Sequence, residues 1–206
     1  GMDVSNASHY DGSTAAAEAA VMAYHNFRGK RTRMVISPAV NPDYRNTLRT
    51  YLSGITDLEI TGDGPEVDPL HHPDTLKNLI DTNTSMVMVQ YPDFFGRIYD
   101  YTAMAKAAHE AGALFVVAVN PMALGLFRTP GEFGADVVVG EGQPLGIPLS
   151  FGGPYLGIFA VRKELVRKIS GRLVGETVDQ NGKRGYVLTL TAREQHIRRE
   201  KATSNI

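Results

Sequence analysis

Leu114-Phe115-Val116-Val117-Ala118-Val119 is apolar at every position and runs straight into Asn120-Pro121. A strand with one wet face alternates apolar with polar residues, whereas an unbroken apolar run belongs to a strand covered on both faces. Met86-Val87-Met88-Val89 and Val137-Val138-Val139 repeat the pattern. Met34-Val35-Ile36, Leu58-Glu59-Ile60 and Ile158-Phe159-Ala160-Val161 add shorter runs. These six segments are the expected strands of a mostly parallel sheet.

Helical spacing fills the intervals. Asn41-Pro42 supplies a cap and a first helical residue, after which Tyr44, Leu48, Tyr51, Leu52 and Ile55 share one face. Tyr101, Met104, Ala105, Ala108 and Ala111 form a second such face, ended by Gly112. An Ala-rich helix is expected from about Ser13 to Phe27, and shorter ones at Asp74–Ile80 and Lys163–Ile169. Strands alternating with helices predict right-handed crossovers and a three-layer α/β/α domain. The rhythm breaks at 171–190, where Asn181-Gly182 between two strand-like runs predicts a β-hairpin. A charged helix is expected at Thr191–Lys201.

At about 150 residues per domain, 206 residues read as a single large domain over 1–206. Lys plus Arg number 21 against 22 Asp plus Glu, so there is no basic field for nucleic acid. No apolar run reaches the ~20 residues of a membrane-spanning helix. The absence of Cys excludes thiol nucleophiles, Cys-ligated metals and disulfides, and fits a cytoplasmic protein. Gly1 ahead of Met2 reads as a cloning remnant, so the chain is expected to be part of a longer one. A cut of that kind would bare an apolar patch through which copies could self-associate.

Asp11-Gly12-Ser13-Thr14 precedes the first helix and reads either as a cap or as a phosphate-binding turn. Asp136–Pro154 carries a strand into a long loop ending Ser150-Phe151-Gly152-Gly153-Pro154. Such a loop is either a surface connection or, at the carboxyl end of a doubly wound sheet, part of a ligand site. The six His are scattered, and His71-His72 has no third ligand nearby, so no metal site is expected.

The resemblance of the chain is specific. Thr191-Ala192-Arg193-Glu194-Gln195-His196-Ile197-Arg198-Arg199-Glu200-Lys201-Ala202-Thr203-Ser204-Asn205-Ile206 resembles a signature of the glycine cleavage system P-protein family, glycine dehydrogenase (decarboxylating). So do Asn6-Ala7-Ser8, Tyr10–Ala15, the Gly140–Pro154 loop and Gly171–Gly175. The likeness is to the N-terminal half, in many bacteria a separate subunit 1 (alpha), and the chain corresponds to its large domain.

The resemblance implies a fold-type-I pyridoxal-phosphate (PLP) transferase architecture. It also implies an enzyme that decarboxylates glycine on PLP and passes aminomethyl to the lipoyl group of H-protein. Such chemistry needs a Schiff-base lysine, expected near Glu141–Leu145, where the sequence reads Glu-Gly-Gln-Pro-Leu. It also needs an acid beside the pyridinium nitrogen; members of this half often carry Asp where Asn120 stands. The implied chain is a non-catalytic subunit with a degenerate site of its own at Ser13, Thr14, Asn120 and Gln143. PLP would be held by glycine dehydrogenase subunit 2 in a heterotetramer, with Gly152 and Gly153 donating backbone N–H groups to that partner's site. Two alternatives stay open: a self-sufficient PLP lyase or transferase using an atypical lysine such as Lys201, and a degenerate phosphate- or PLP-binding module.

Overall fold

The computed structural model describes residues 1–190, so the expected helix at Thr191–Lys201 lies outside the described residues. The chain runs β1 (Val4–Ser5), α1 (Gly12–Asn26), β2 (Arg33–Ile36), α2 (Pro42–Leu52), β3 (Glu59–Thr61), β4 (Thr84–Tyr91), α3 (Thr102–Glu110) and β5 (Leu114–Val119). It continues through β6 (Val137–Glu141), β7 (Gly157–Val161), β8 (Leu173–Val178) and β9 (Arg184–Thr189). The first seven strands form one sheet in the order β1-β7-β6-β5-β4-β2-β3. β6, β5, β4, β2 and β3 are parallel, with Val116 beside Val137 and Met88 beside Val116.

β7 departs from the parallel set and lies antiparallel to both β6 and β1. The reason is the connection. A parallel neighbour needs a crossover that spans the sheet, whereas the segment after Glu141 is a loop with one short 3-10 turn that folds back beside its own strand.

Both faces of the sheet are covered. Met34, Met86, Met88, Val116, Ala118, Val137 and Val139 pack under α1 and α2, and the alternate residues Val35, Val87, Val89, Phe115, Val117 and Val138 pack under α3. This two-sided burial is why the strands read as unbroken apolar runs. Helix α1 is the innermost helix: Ala15, Ala16, Ala17, Ala19, Ala20 and Ala23 are fully buried, small enough for the sheet and α2 to approach it from different sides.

Two local expectations are corrected. The segment Asp74–Ile80 is a 3-10 helix over Pro73–Leu79, in which only Pro73 and Leu76 are buried, too few to carry an α-helical face. Lys163–Ile169 shortens to one 3-10 turn at Lys163–Leu165 followed by further turns. The hairpin forms at β8 and β9, a separate two-stranded sheet joined by the five-residue loop 179–183. In that loop Gly182 alone adopts a left-handed φ of 76°, and the Asp179 carboxylate accepts from the amides of Asn181 at 2.8 Å and Lys183 at 2.9 Å. The turn is therefore organised by Asp179 and Gly182; Asn181 is not left-handed.

Candidate functional site

Parallel strands direct their carboxyl ends to one edge of the sheet, and ligands of open α/β folds collect there. At that edge Gln90 of β4, Asn120 after β5, Glu141 of β6 and Pro144, together with Asn41 and Tyr44 at the start of α2, line a cavity of about 150 Å³. The head of α1 abuts two of these residues, Tyr44 and Glu141. Gly12 is obligatory there: a Cβ would sit 2.0 Å from the Tyr44 hydroxyl oxygen and 2.9 Å from the amide of Glu141.

Glu141 is the centre of the site. Its Oε2 accepts from the amide of Gly12 at 2.9 Å, and its Oε1 accepts from the amides of Gln143 at 2.8 Å and Leu156 at 3.0 Å. Burial pushes the Tyr44 phenol up to about 12, with the Glu141 and Asp11 charges adding to the effect, so the hydroxyl keeps its proton.

The head of α1 is occupied by the protein's own acids. Asp11 Oδ1 accepts from the Thr14 amide at 2.8 Å and the Ser13 hydroxyl at 2.7 Å, while Thr14 Oγ1 donates to the Asp11 carbonyl at 3.0 Å. With Glu141 on Gly12, two carboxylates stand where a phosphate would meet the helix dipole. Between cap and phosphate turn, the geometry favours the cap.

The other expected site residues commit polar groups to local hydrogen bonds. Asn120 caps the 3-10 turn at Pro121–Gly125, its Oδ1 accepting from the Met122 amide at 3.1 Å. Gln143 donates from Nε2 to the Ile147 carbonyl at 2.6 Å. The amides of Gly152 and Gly153 both donate to the Leu149 carbonyl, at 2.9 and 3.2 Å, so the free donors expected there are committed within the loop. Ser150, Phe151 and Gly152 have φ of 41°, 56° and 108°, a left-handed run that costs about 1–2 kcal/mol at each non-glycine position. Phe151 is fully exposed at its centre.

Among the described residues no lysine lines this cavity. Lys30, Lys106, Lys163, Lys168 and Lys183 are exposed and Lys77 pairs with Asp74 at 2.8 Å, while Lys201 lies outside the described residues. Among the described residues the cavity therefore offers no amine, position 120 carries an amide where an acid is expected, and Ser13 and Thr14 present no uncommitted phosphate cradle. These residues do not fit PLP. Among the described residues no group of three His, Asp or Glu is placed to hold a metal, and no helix is long and apolar enough to cross a membrane.

Sequence reasoning treated Glu141 only as the place where a lysine is missing. Its role was signalled by an acid set between Gly140 and Gly142 directly after an apolar strand, a position where a charged side chain must find local donors.

Comparisons place this geometry among known proteins. The chain is 56% identical over 207 residues to a protein of Sphingopyxis alaskensis named probable glycine dehydrogenase (decarboxylating) subunit 1, and 51% identical over 208 residues to its namesake in Bacillus subtilis. In both matches all of this chain aligns with 45% of the relative, so the chain spans a little under half the length of the curated relatives it matches. A crystal structure of glycine decarboxylase (P-protein) of the glycine cleavage system, in inhibitor-bound form, superimposes over the whole chain and 45% of its own, with a TM-score of 0.84 and 43% identity. Cystathionine gamma-lyase from Lactobacillus plantarum shares the fold at 17% identity and a TM-score of 0.59, over 77% of this chain and 38% of its own. The profile of the family described as glycine cleavage system P-protein matches residues 1–206, and the chain belongs to that family.

Proposed function

We propose that this chain is the large-domain part of a P-protein subunit 1 that supports glycine decarboxylation without performing the chemistry itself. The observation that carries the reading is Glu141: where the resemblance requires an amine, an anion is held by three backbone amides. A lysine there would point a fourth donor at three donors. In this reading residues 1–206 are one domain of a longer cytoplasmic subunit, with the 171–190 hairpin as an appendage. Glycine dehydrogenase subunit 2 completes a heterotetramer, holds PLP and supplies its electron-sink chemistry, and lipoylated H-protein takes up the aminomethyl group. Ser13, Thr14, Asn120 and Gln143 are remnants of a site; Gly152 and Gly153 act on the partner's site through the loop that they shape. Isolated copies of the fragment self-associate through surface that the rest of the subunit covers.

The test mixes full-length subunit 1 with subunit 2, measures glycine decarboxylation, and maps borohydride-trapped lysines by mass spectrometry. The expected outcome is activity only in the mixture, with label only on subunit 2. Label on any lysine of this chain would overturn the reading and favour a self-sufficient enzyme.

A further inference from the structure

Fifteen residues, 142–156, lie between β6 and β7, and the loop proper, 143–156, holds only one 3-10 turn, Gln143–Leu145. A connection of this length is costly to order and wanders unless something fixes it. Here both ends converge on one atom. Glu141 Oε1 accepts from the amide of Gln143, where the loop begins, and from the amide of Leu156, where it ends. The amide of Gly142 adds a 2.7 Å bond to the Leu156 carbonyl, closing the base. Oε2 of the same carboxylate reaches across to the first amide of α1. One side chain thus sets the loop's width and its position against the rigid helix. Beyond that base, Leu145, Leu149 and Phe151 are exposed, so the outer loop draws little on packing for its shape.

We infer that Glu141 is the positioning residue of the 143–156 loop, holding it in the form in which it meets the partner subunit's cofactor site. The inference rests on the reading above, in which the loop serves that site. Hydrogen bonds to a carboxylate are roughly twice as strong as neutral ones, and one acceptor shared by both loop ends couples them. Glutamine tests this separation of roles: its Oε1 can still accept from Gln143 and Leu156, but its amide nitrogen cannot accept from Gly12.

The experiment uses full-length subunit 1 assembled with subunit 2, in wild-type form and as Glu141→Ala, Glu141→Gln and Gly153→Val. Hydrogen exchange is read at the amides of Gly12, Gln143 and Leu156, PLP affinity by absorbance titration, and assembly by sedimentation. Glu141→Ala is expected to assemble, to exchange all three amides at least tenfold faster, and to weaken PLP binding by about tenfold. Glu141→Gln is expected to keep protection at Gln143 and Leu156, to lose it at Gly12, and to bind PLP with intermediate affinity. If Gly153→Val weakens PLP binding while Glu141→Ala does not, the positioning role is wrong and the loop's role stands. If Gly153→Val leaves PLP binding unchanged, the reading beneath it fails. A loss of protection spread evenly over the domain and equal in Glu141→Ala and Glu141→Gln would make the side chain a stability element only, which also overturns the inference.

Discussion

The Ser170 hydroxyl lies 2.9 Å from Nε2 of His9, joining the first turn of the chain to the segment before the hairpin across 161 positions of sequence. Both residues are buried, and His9 stacks edge-on against Phe159 of β7 at 5.2 Å. Burial drives the imidazole down to about 4 against a smaller opposing pull from Asp11. His9 is therefore neutral in the folded state near pH 7.

The burial of His9 makes stability fall in mild acid. The unfolded chain takes up a proton on His9 near pH 6.5 and the folded chain only near 4, so the unfolded state binds more protons in that window. Stability is complete above pH 6.5 and is lost as pH drops toward 4, by at most about 3 kcal/mol. Glu18, whose carboxyl is raised chiefly by burial, works in the opposite sense just above its ordinary value and blunts the low end of the curve. Urea midpoints measured from pH 7.5 to 4.5 should decline, and His9→Gln should flatten the decline. An equal slope in the variant would assign it to other groups.

The fit of Gly12 against Tyr44 predicts a compensating pair. A Cβ at position 12 would collide with the Tyr44 hydroxyl at 2.0 Å, so Gly12→Ala should cost about 1–3 kcal/mol as an overpacking change. Tyr44→Phe removes the nearest colliding atom and leaves the ring carbon at 2.8 Å, so the double variant should regain part of the loss. Thermal and urea denaturation of the four proteins gives the coupling directly. Additive losses would show that the hydroxyl contact is not what decides the cost, which then lies with the Tyr44 ring carbon at 2.8 Å and the amide of Glu141 at 2.9 Å.

Asp63 fastens α2 to the turn after β3. Its carboxylate is almost wholly buried and meets Arg49 at 2.6 Å and Arg45 at 3.3 Å, while both guanidinium groups keep contact with water. Asp63→Asn retains the shape and removes the charge. The expected loss is about 1–3 kcal/mol, below that of a fully buried pair because the freed arginines can be solvated. Arg45 also donates to the Val40 carbonyl at 3.0 Å, so Arg45→Ala should cost at least as much as Arg49→Ala despite its longer contact with the carboxylate. A loss at Arg45 well below that at Arg49 would show that the 2.6 Å contact alone holds Asp63.

The layers of this fold were readable because each strand carries its own evidence: Phe115 and Val117 face α3 while Val116 and Ala118 face α1, and an apolar run records both faces at once. Direction was less readable. Ile158–Val161 looks like its parallel neighbours, and only the lack of a crossover helix after Glu141 betrays the reversal. The missing lysine was legible as an absence. The function of the residue in its place was not, because the amides that define it come from Gly12, Gln143 and Leu156, two of them distant in sequence. Backbone donors leave no trace in side-chain patterns. For the same reason the commitment of Gly152 and Gly153 to the Leu149 carbonyl could not be foreseen from two glycines.

The hairpin should behave as an independent unit. Leu173 is its one buried side chain, whereas Val174, Val178, Tyr186 and Leu188 are exposed on a two-stranded sheet that shares no ladder with the main one. Isolated two-stranded hairpins are marginal in water, so opening of β8 and β9 should need far less free energy than global unfolding. Gly182 holds a left-handed φ of 76° in the connecting loop, and Gly182→Ala should weaken the turn by about 1 kcal/mol. The cost should be local: amides of Val174–Thr189 exchange several-fold faster, while those of β4 and β5 and the global unfolding midpoint stay unchanged. A fall in the global midpoint by the full amount would show that the hairpin unfolds together with the seven-stranded sheet, as one cooperative body.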